Sequence, residues 1–213
     1  MSVIRAAAAL LFVLTLAGCA ASPSDPVPVP VPSDATSGPD DDSIPLPAAP
    51  VTLPTPAPGT EVTGIGTVID DGDGASLCSA VMESSPPQCD SPLPIEGWDW
   101  AGLESERSGG VRWGDFTVFG EFDGERLTVT RAPEPAGEPE PWPSHTGPLT
   151  SDELAMVGAQ LKRDLPSYLS LTQGDGFVHV SVLYDDGTLQ SGFEDRYGEG
   201  AVVLAALLRP ATS

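Results

Sequence analysis

Phe177-Val178-His179-Val180-Ser181-Val182-Leu183-Tyr184 alternates with a period of two, the signature of an extended strand. Val178, Val180, Val182 and Tyr184 share one face, while Phe177, His179, Ser181 and Leu183 make a mixed one. On both sides the period changes to that of a helix. Upstream, Thr150-Ser151-Asp152-Glu153 fits a capping box, the Thr150 hydroxyl serving one orphan amide and Glu153 reaching back to the N–H of the cap. Leu154, Val157, Leu161 and Leu165 then recur on one helical face until Pro166 halts it. Downstream, Leu189, Phe193 and Tyr197 lie four apart and form the buried stripe of a short helix that ends at Gly198. Ala201 to Leu208 is nearly continuous in its apolarity, which predicts a strand buried on both faces, closed by Arg209-Pro210. Helix, strand, helix, strand predicts a small α/β domain over residues 149–213, with a right-handed crossover and both helices covering the sheet. Two strands make a thin core, leaving room for a third from 167–172 or for support from the preceding segment.

Residues 61–131 carry a different pattern of short strands and turns. Val62 to Ile69 reads as one strand, interrupted by Gly64 and Gly66 and followed by the turn Asp70-Asp71-Gly72-Asp73-Gly74. Ser76 to Met82 is a second apolar piece, and Pro86-Pro87-Gln88-Cys89 is a rigid return toward Cys78. From Arg112 to Gly120, Trp113, Asp115, Thr117 and Phe119 oppose Arg112, Phe116 and Val118. Asp123-Gly124 before Leu127-Thr128-Val129-Thr130 is a strong hairpin signal. Four or five strands without a helix predict a small antiparallel β-barrel in the size range of the OB architecture; a two-sheet sandwich fits the same pattern. The chain as a whole is thus expected to be α+β.

Around these two segments the composition is of another kind. Arg5, the apolar run Ala6 to Leu16, and Leu16-Ala17-Gly18-Cys19 make an export signal over residues 1–18, too short to span a membrane. Leu16-Ala17-Gly18-Cys19 resembles the lipobox of bacterial lipoprotein signals. That resemblance implies a mature N-terminus at Cys19, modified by thioether-linked lipid with palmitate-type acyl chains, and a place on the outer face of the cell membrane. Residues 19–60 follow as a tether with twelve prolines, its stiffest part the alternating run Val27-Pro28-Val29-Pro30-Val31-Pro32. Such composition cannot bury enough apolar surface to offset chain entropy, and when extended it could reach on the order of 100 Å. A second Pro/Glu-rich linker, 132–148, separates the two segments; Trp142 within it is expected to pack on a neighbouring surface.

The formal charge of -22 argues against nucleic-acid partners and against adsorption to anionic lipid, so membrane attachment would rest on acyl chains. With Cys19 lipidated, Cys78 and Cys89 remain as an even pair, which in an oxidising compartment reads as one disulfide. Closing so small a loop stabilises a domain by roughly 2–3 kcal/mol. Two thiolates at this spacing with no histidine nearby are a weak zinc signal.

The run from Leu77-Cys78 through Pro86-Pro87-Gln88-Cys89 to Gly97-Trp98-Asp99-Trp100, with Arg112-Trp113-Gly114 and Phe122-Asp123-Gly124 after it, resembles uncharacterised secreted or lipid-anchored proteins of high-GC Gram-positive (actinobacterial) bacteria. Tyr197-Gly198-Glu199-Gly200 and Leu208-Arg209-Pro210 extend that resemblance to roughly residues 62 to 210. It implies the architecture and the compartment and assigns no catalytic residue.

Little in the chain points to catalysis. His145 lies in the linker, and His179 sits mid-strand without a second metal-binding residue in register. No nucleophile elbow or Ser-x-x-Lys pair is present, and no glycine-rich phosphate loop. Asp70, Asp71 and Asp73 offer hard oxygen donors but miss the EF-hand spacing, so no metal and no cofactor is expected. Asp99 stands between Trp98 and Trp100, where desolvation would raise its pKa, yet a glycosidase needs a second carboxylate at defined distance. Trp98, Asp99, Trp100 and Trp113 are the candidate ligand platform, against core packing as the plainer role for the rings. The expectation is a lipid-anchored extracytoplasmic protein that binds or scaffolds envelope polysaccharide or protein. A carboxylate-dependent hydrolase of envelope polymer is the alternative.

Overall fold

A computed structural model describes residues 51–137, 146–165 and 167–211, which belong to one compact unit, 42–213. Cys19, the signal, most of the tether, Trp142 and His145 lie outside the described residues. Among the described residues ten strands and two helices make an α+β fold: β1 (Glu61–Asp70), β2 (Ala75–Met82), β3 (Gln88–Glu96), β4 (Glu106–Ser108), β5 (Val111–Phe122), β6 (Leu127–Val129), β7 (Glu134–Pro135), α1 (Ser151–Asp164), β8 (Ser170–Gly174), β9 (Phe177–Tyr184), α2 (Thr188–Tyr197) and β10 (Val202–Pro210).

In the first segment the pairings run β1–β2–β3–β6–β5 and return to β1. β5 pairs with β1 from Glu61↔Glu121 to Asp70↔Arg112. The arrangement differs from the sequence reading in strand number and in direction, because β3 and β6 run parallel at Ile95↔Leu127. The strand least legible in the sequence is β3, since Pro92 and Pro94 argue against one. They are tolerated because their missing N–H groups point away from β2, on a side where β3 meets β6 only at Ile95 and Glu96. Inside the ring Val62, Val68, Leu77, Leu93, Phe116, Val118 and Leu127 form one core.

The C-terminal segment follows the predicted order, with β8 as the third strand. Thr150 accepts from the Glu153 N–H while the Glu153 carboxylate accepts from the Thr150 N–H, so the capping box is formed. β9 and β10 run parallel from Val202↔Val178 to Leu208↔Tyr184, with α2 as their connection, and β8 pairs antiparallel with β9. Val157 and Leu161 of α1, Val178, Val180 and Val182 of β9, and Leu189, Phe193 and Tyr197 of α2 form a second core. β10 departs from expectation. Val202 and Leu208 are buried, but Val203 to Leu207 are only half-buried, because both helices contribute to a single core that meets β10 through Val202, Leu204 and Ala206. The Gln190 side chain of α2 reaches this strand: its Oε1 accepts from the Leu204 N–H at 3.0 Å and its Nε2 donates to the Val202 carbonyl at 3.2 Å.

The two segments share one sheet. β1 pairs antiparallel with β10 from Val62↔Pro210 to Gly64↔Leu208. The Pro-rich stretches also take part in the fold. Val51 donates its N–H to the Asp164 carbonyl at 2.9 Å, and Val51 and Leu53 pack against the second core. Glu134 and Pro135, expected as linker, pair with Thr117 and Phe116 of β5.

Candidate functional site

The turn after β3 begins at Gly97, whose φ of 76° is left-handed, and carries Trp98, Asp99 and Trp100, of which the two tryptophans pack against the first core. Trp98 and Trp100 meet edge to face with ring centroids 5.3 Å apart, and both meet the buried Phe116 ring, at 5.3 and 5.8 Å. Such edge contacts pair the positive rim of one ring with the negative face of another. The two indoles are half-buried and packed against the core together with Leu103, so they do not present a flat pair of faces.

Trp100 is fixed from both sides. Its Nε1 donates to Asp70 Oδ2 at 2.9 Å, and the Arg112 guanidinium lies 4.5 Å from its ring centroid. Arg112 donates to Ser105 Oγ at 2.7 Å and to the Trp100 carbonyl at 3.3 Å, which ties the loop to β5. Desolvation and the neighbouring Arg107 push the Arg112 pKa down, opposed by Asp70 and Asp99. The Trp98 Nε1 is buried and has no hydrogen-bond partner. Asp99 is exposed, and its Oδ1 accepts the Ala101 N–H at 2.9 Å within its own loop.

Trp113 stands apart from this group. Strand alternation places it on the face of β5 opposite to Phe116, between Ile69 of β1 and Glu106 of β4. The structure therefore brings Trp98 and Trp100 together, leaves Asp99 pointing to solvent and puts Trp113 elsewhere. Asp70, Ser105 and Arg112 complete the cluster. The β5 alternation held one clue to them, because Arg112 shares the inward face with Phe116.

Cys78 and Cys89 are joined by a disulfide across 5.3 Å between Cα atoms, and Cys78 is buried. The aspartates of the β1–β2 turn are occupied locally: Asp70 Oδ1 accepts from the Gly72 N–H and Asp71 Oδ1 from the Asp73 N–H. Among the described residues no group of three or more His, Cys, Asp or Glu could hold a metal ion. His179 is buried in β9, where desolvation lowers its pKa. A groove of about 630 Å³ runs beside the tryptophan loop, lined by Leu103, Glu104, Glu106, Asp115, Phe116 and Pro133. Of the described helices, none is long and apolar enough to cross a membrane.

No family model, curated protein or solved structure matches the chain.

Proposed function

We propose that the protein is an extracytoplasmic binding or envelope-scaffolding protein, held by lipid at Cys19 to the outer face of the cell membrane. The observation that carries the reading is the Cys78–Cys89 disulfide downstream of the Leu16-Ala17-Gly18-Cys19 motif. A bridge of this kind persists in oxidising compartments, where an export signal would deliver the chain. We further read the β1–β2–β3–β6–β5 ring as a closed five-stranded barrel of OB type. The parallel β3–β6 pair supports that reading, and so does the packing of Trp98 and Trp100 against its core. In this view the tryptophans stopper the barrel, and the ligand surface lies elsewhere on the acidic exterior.

The test is chemical. Detergent-extracted protein should have an intact mass above that of residues 19–213 by at least a diacylglycerol, and Cys19→Ala should move it from the detergent phase to the aqueous phase. Unchanged partitioning of the Cys19→Ala variant would overturn the proposal. The Asp99 carboxylate is turned to solvent and bonded to its own loop, so the hydrolase reading has no specific observation in its favour.

A further inference from the structure

We propose that Asp73-Gly74, in the turn between β1 and β2, is a self-modification site at which the main chain passes through a succinimide ring to a β-linked isoaspartate. The sequence contains five Asp-Gly pairs, at 71–72, 73–74, 123–124, 175–176 and 186–187. Glycine favours this chemistry because it has no Cβ to shield its nitrogen from the side chain before it. Two groups must be free to react: the aspartyl carboxyl as electrophile and the glycyl N–H as nucleophile.

The fold protects four of the pairs. Asp123 Oδ1 accepts from the N–H groups of Glu125 and Arg126, both at 2.8 Å, and Asp186 Oδ1 accepts from the hydroxyl and the N–H of Thr188. These bonds hold both carboxyls below their usual pKa and so in the ionised form, which is a poor electrophile. At 71–72 the nucleophile is engaged, because the Gly72 N–H donates to Asp70 Oδ1, and Asp71 Oδ1 accepts from the Asp73 N–H. At 175–176 the main chain is clamped. Gly147 donates its N–H to the Asp175 carbonyl and Leu149 to that of Gly176, and a Cβ on Gly176 would stand only 2.3 Å from the Gly147 carbonyl oxygen. Asp73-Gly74 has none of these restraints. Both residues are exposed, and among the described residues no hydrogen bond engages the Asp73 carboxyl or the Gly74 N–H. A Cβ on Gly74 would meet open space.

In the first step the Gly74 nitrogen bonds to Asp73 Cγ, the C–OH bond of the carboxyl breaks, and the hydroxyl leaves with the amide proton as one water. A second water then opens the ring. Attack at Cγ restores aspartate, whereas attack at the main-chain carbonyl of Asp73 leaves Cβ and Cγ in the backbone. The net change is an isomerisation at constant mass that consumes no other reagent. The turn gains one main-chain atom between Asp70 and Ala75, which pair with each other, and Asp70 is the residue that holds the Trp100 indole. Isomerisation therefore loosens the hold on Trp100.

The test keeps the purified protein at neutral pH in heavy-oxygen water and maps its peptides with a fragmentation method that locates β-linkages. Asp73 should gain isoaspartate and heavy oxygen several-fold faster than the other four aspartates, whereas in urea-unfolded protein the five should react at similar rates. Asp73→Glu, which would need a larger ring, should lose the signal at this position. The Trp100 indole N–H resonance should shift in the isomerised fraction. Similar rates at all five pairs in the folded protein, or a faster reaction at another pair, would overturn the site. An unmoved Trp100 resonance would overturn its link to the tryptophan loop.

Discussion

Gly64 of β1 faces Leu208 of β10, and a Cβ on Gly64 would come within 2.8 Å of Leu208 Cδ2 and 2.6 Å of the Leu207 carbonyl oxygen. The absence of a side chain at Gly64 is what lets the C-terminal segment join the sheet of the first. Leu207 and Leu208 then contribute to the first core, together with Tyr184 and Leu183. Gly64→Ala must push backbone against backbone, and it is expected to destabilise the protein by about 1–3 kcal/mol. Hydrogen exchange should show β10 losing protection along with β1. A variant that melts like the parent would mean that the contact between the segments is easily relaxed.

Trp98 and Trp113 should respond differently to truncation. Trp98 touches both Trp100 and Phe116 over the first core, so Trp98→Ala should cost about 3 kcal/mol through lost packing. Trp113 lies on the outer face of β5, and Trp113→Ala should cost distinctly less. Denaturant melts of the two variants decide this, and equal losses would contradict the separate placement of the rings.

His179 makes stability sensitive to mild acid. Burial lowers its pKa below the ordinary 6.5, so below that pH the unfolded chain binds a proton more readily than the folded one. The contribution is therefore complete above pH 6.5 and is lost as the pH falls toward the folded value. The melting temperature should begin to drop as the pH falls through 6.5, before ordinary carboxylates titrate near pH 4. His179→Gln should flatten that part of the profile, and an unchanged slope would refute the assignment.

The cap of α1 gives a further prediction. Thr150→Ala removes the hydroxyl that accepts the Glu153 N–H and should cost about 1 kcal/mol. The Thr150 N–H and hydroxyl hold the Glu153 carboxyl below its usual range. Its contribution is accordingly present above the ordinary carboxylate pKa and disappears as acid protonates the folded form. Glu153→Gln should reduce acid sensitivity in that range, read from helix-region exchange at successive pH values.

Local chemistry made the C-terminal segment legible. The Thr150–Glu153 box, the Leu189, Phe193 and Tyr197 stripe and the period-two run from Phe177 all lie within a few residues of the partners they need. What the sequence hid depends on distant partners. Gly64 reads as an interruption until Leu207 and Leu208 arrive from the other end of the chain, and the stretch with Pro92 and Pro94 gives no strand signal of its own until β2 supplies the ladder it borders. Val51 and Leu53 read as tether because the core they pack against is built from the C-terminal segment, far along the chain. In the tryptophan loop the rings themselves were evident, but Asp70 and Arg112, which clamp Trp100, come from separate strands.

The Gln190 amide gives α2 a second duty besides covering the core. By offering one acceptor and one donor to Leu204 and Val202, it imitates a neighbouring strand, and an incoming chain cannot pair there without first pulling the amide away. The helix thus acts as a stopper against fibril growth at that edge of β10, and crowded copies of the protein can lie side by side without their sheets merging through it.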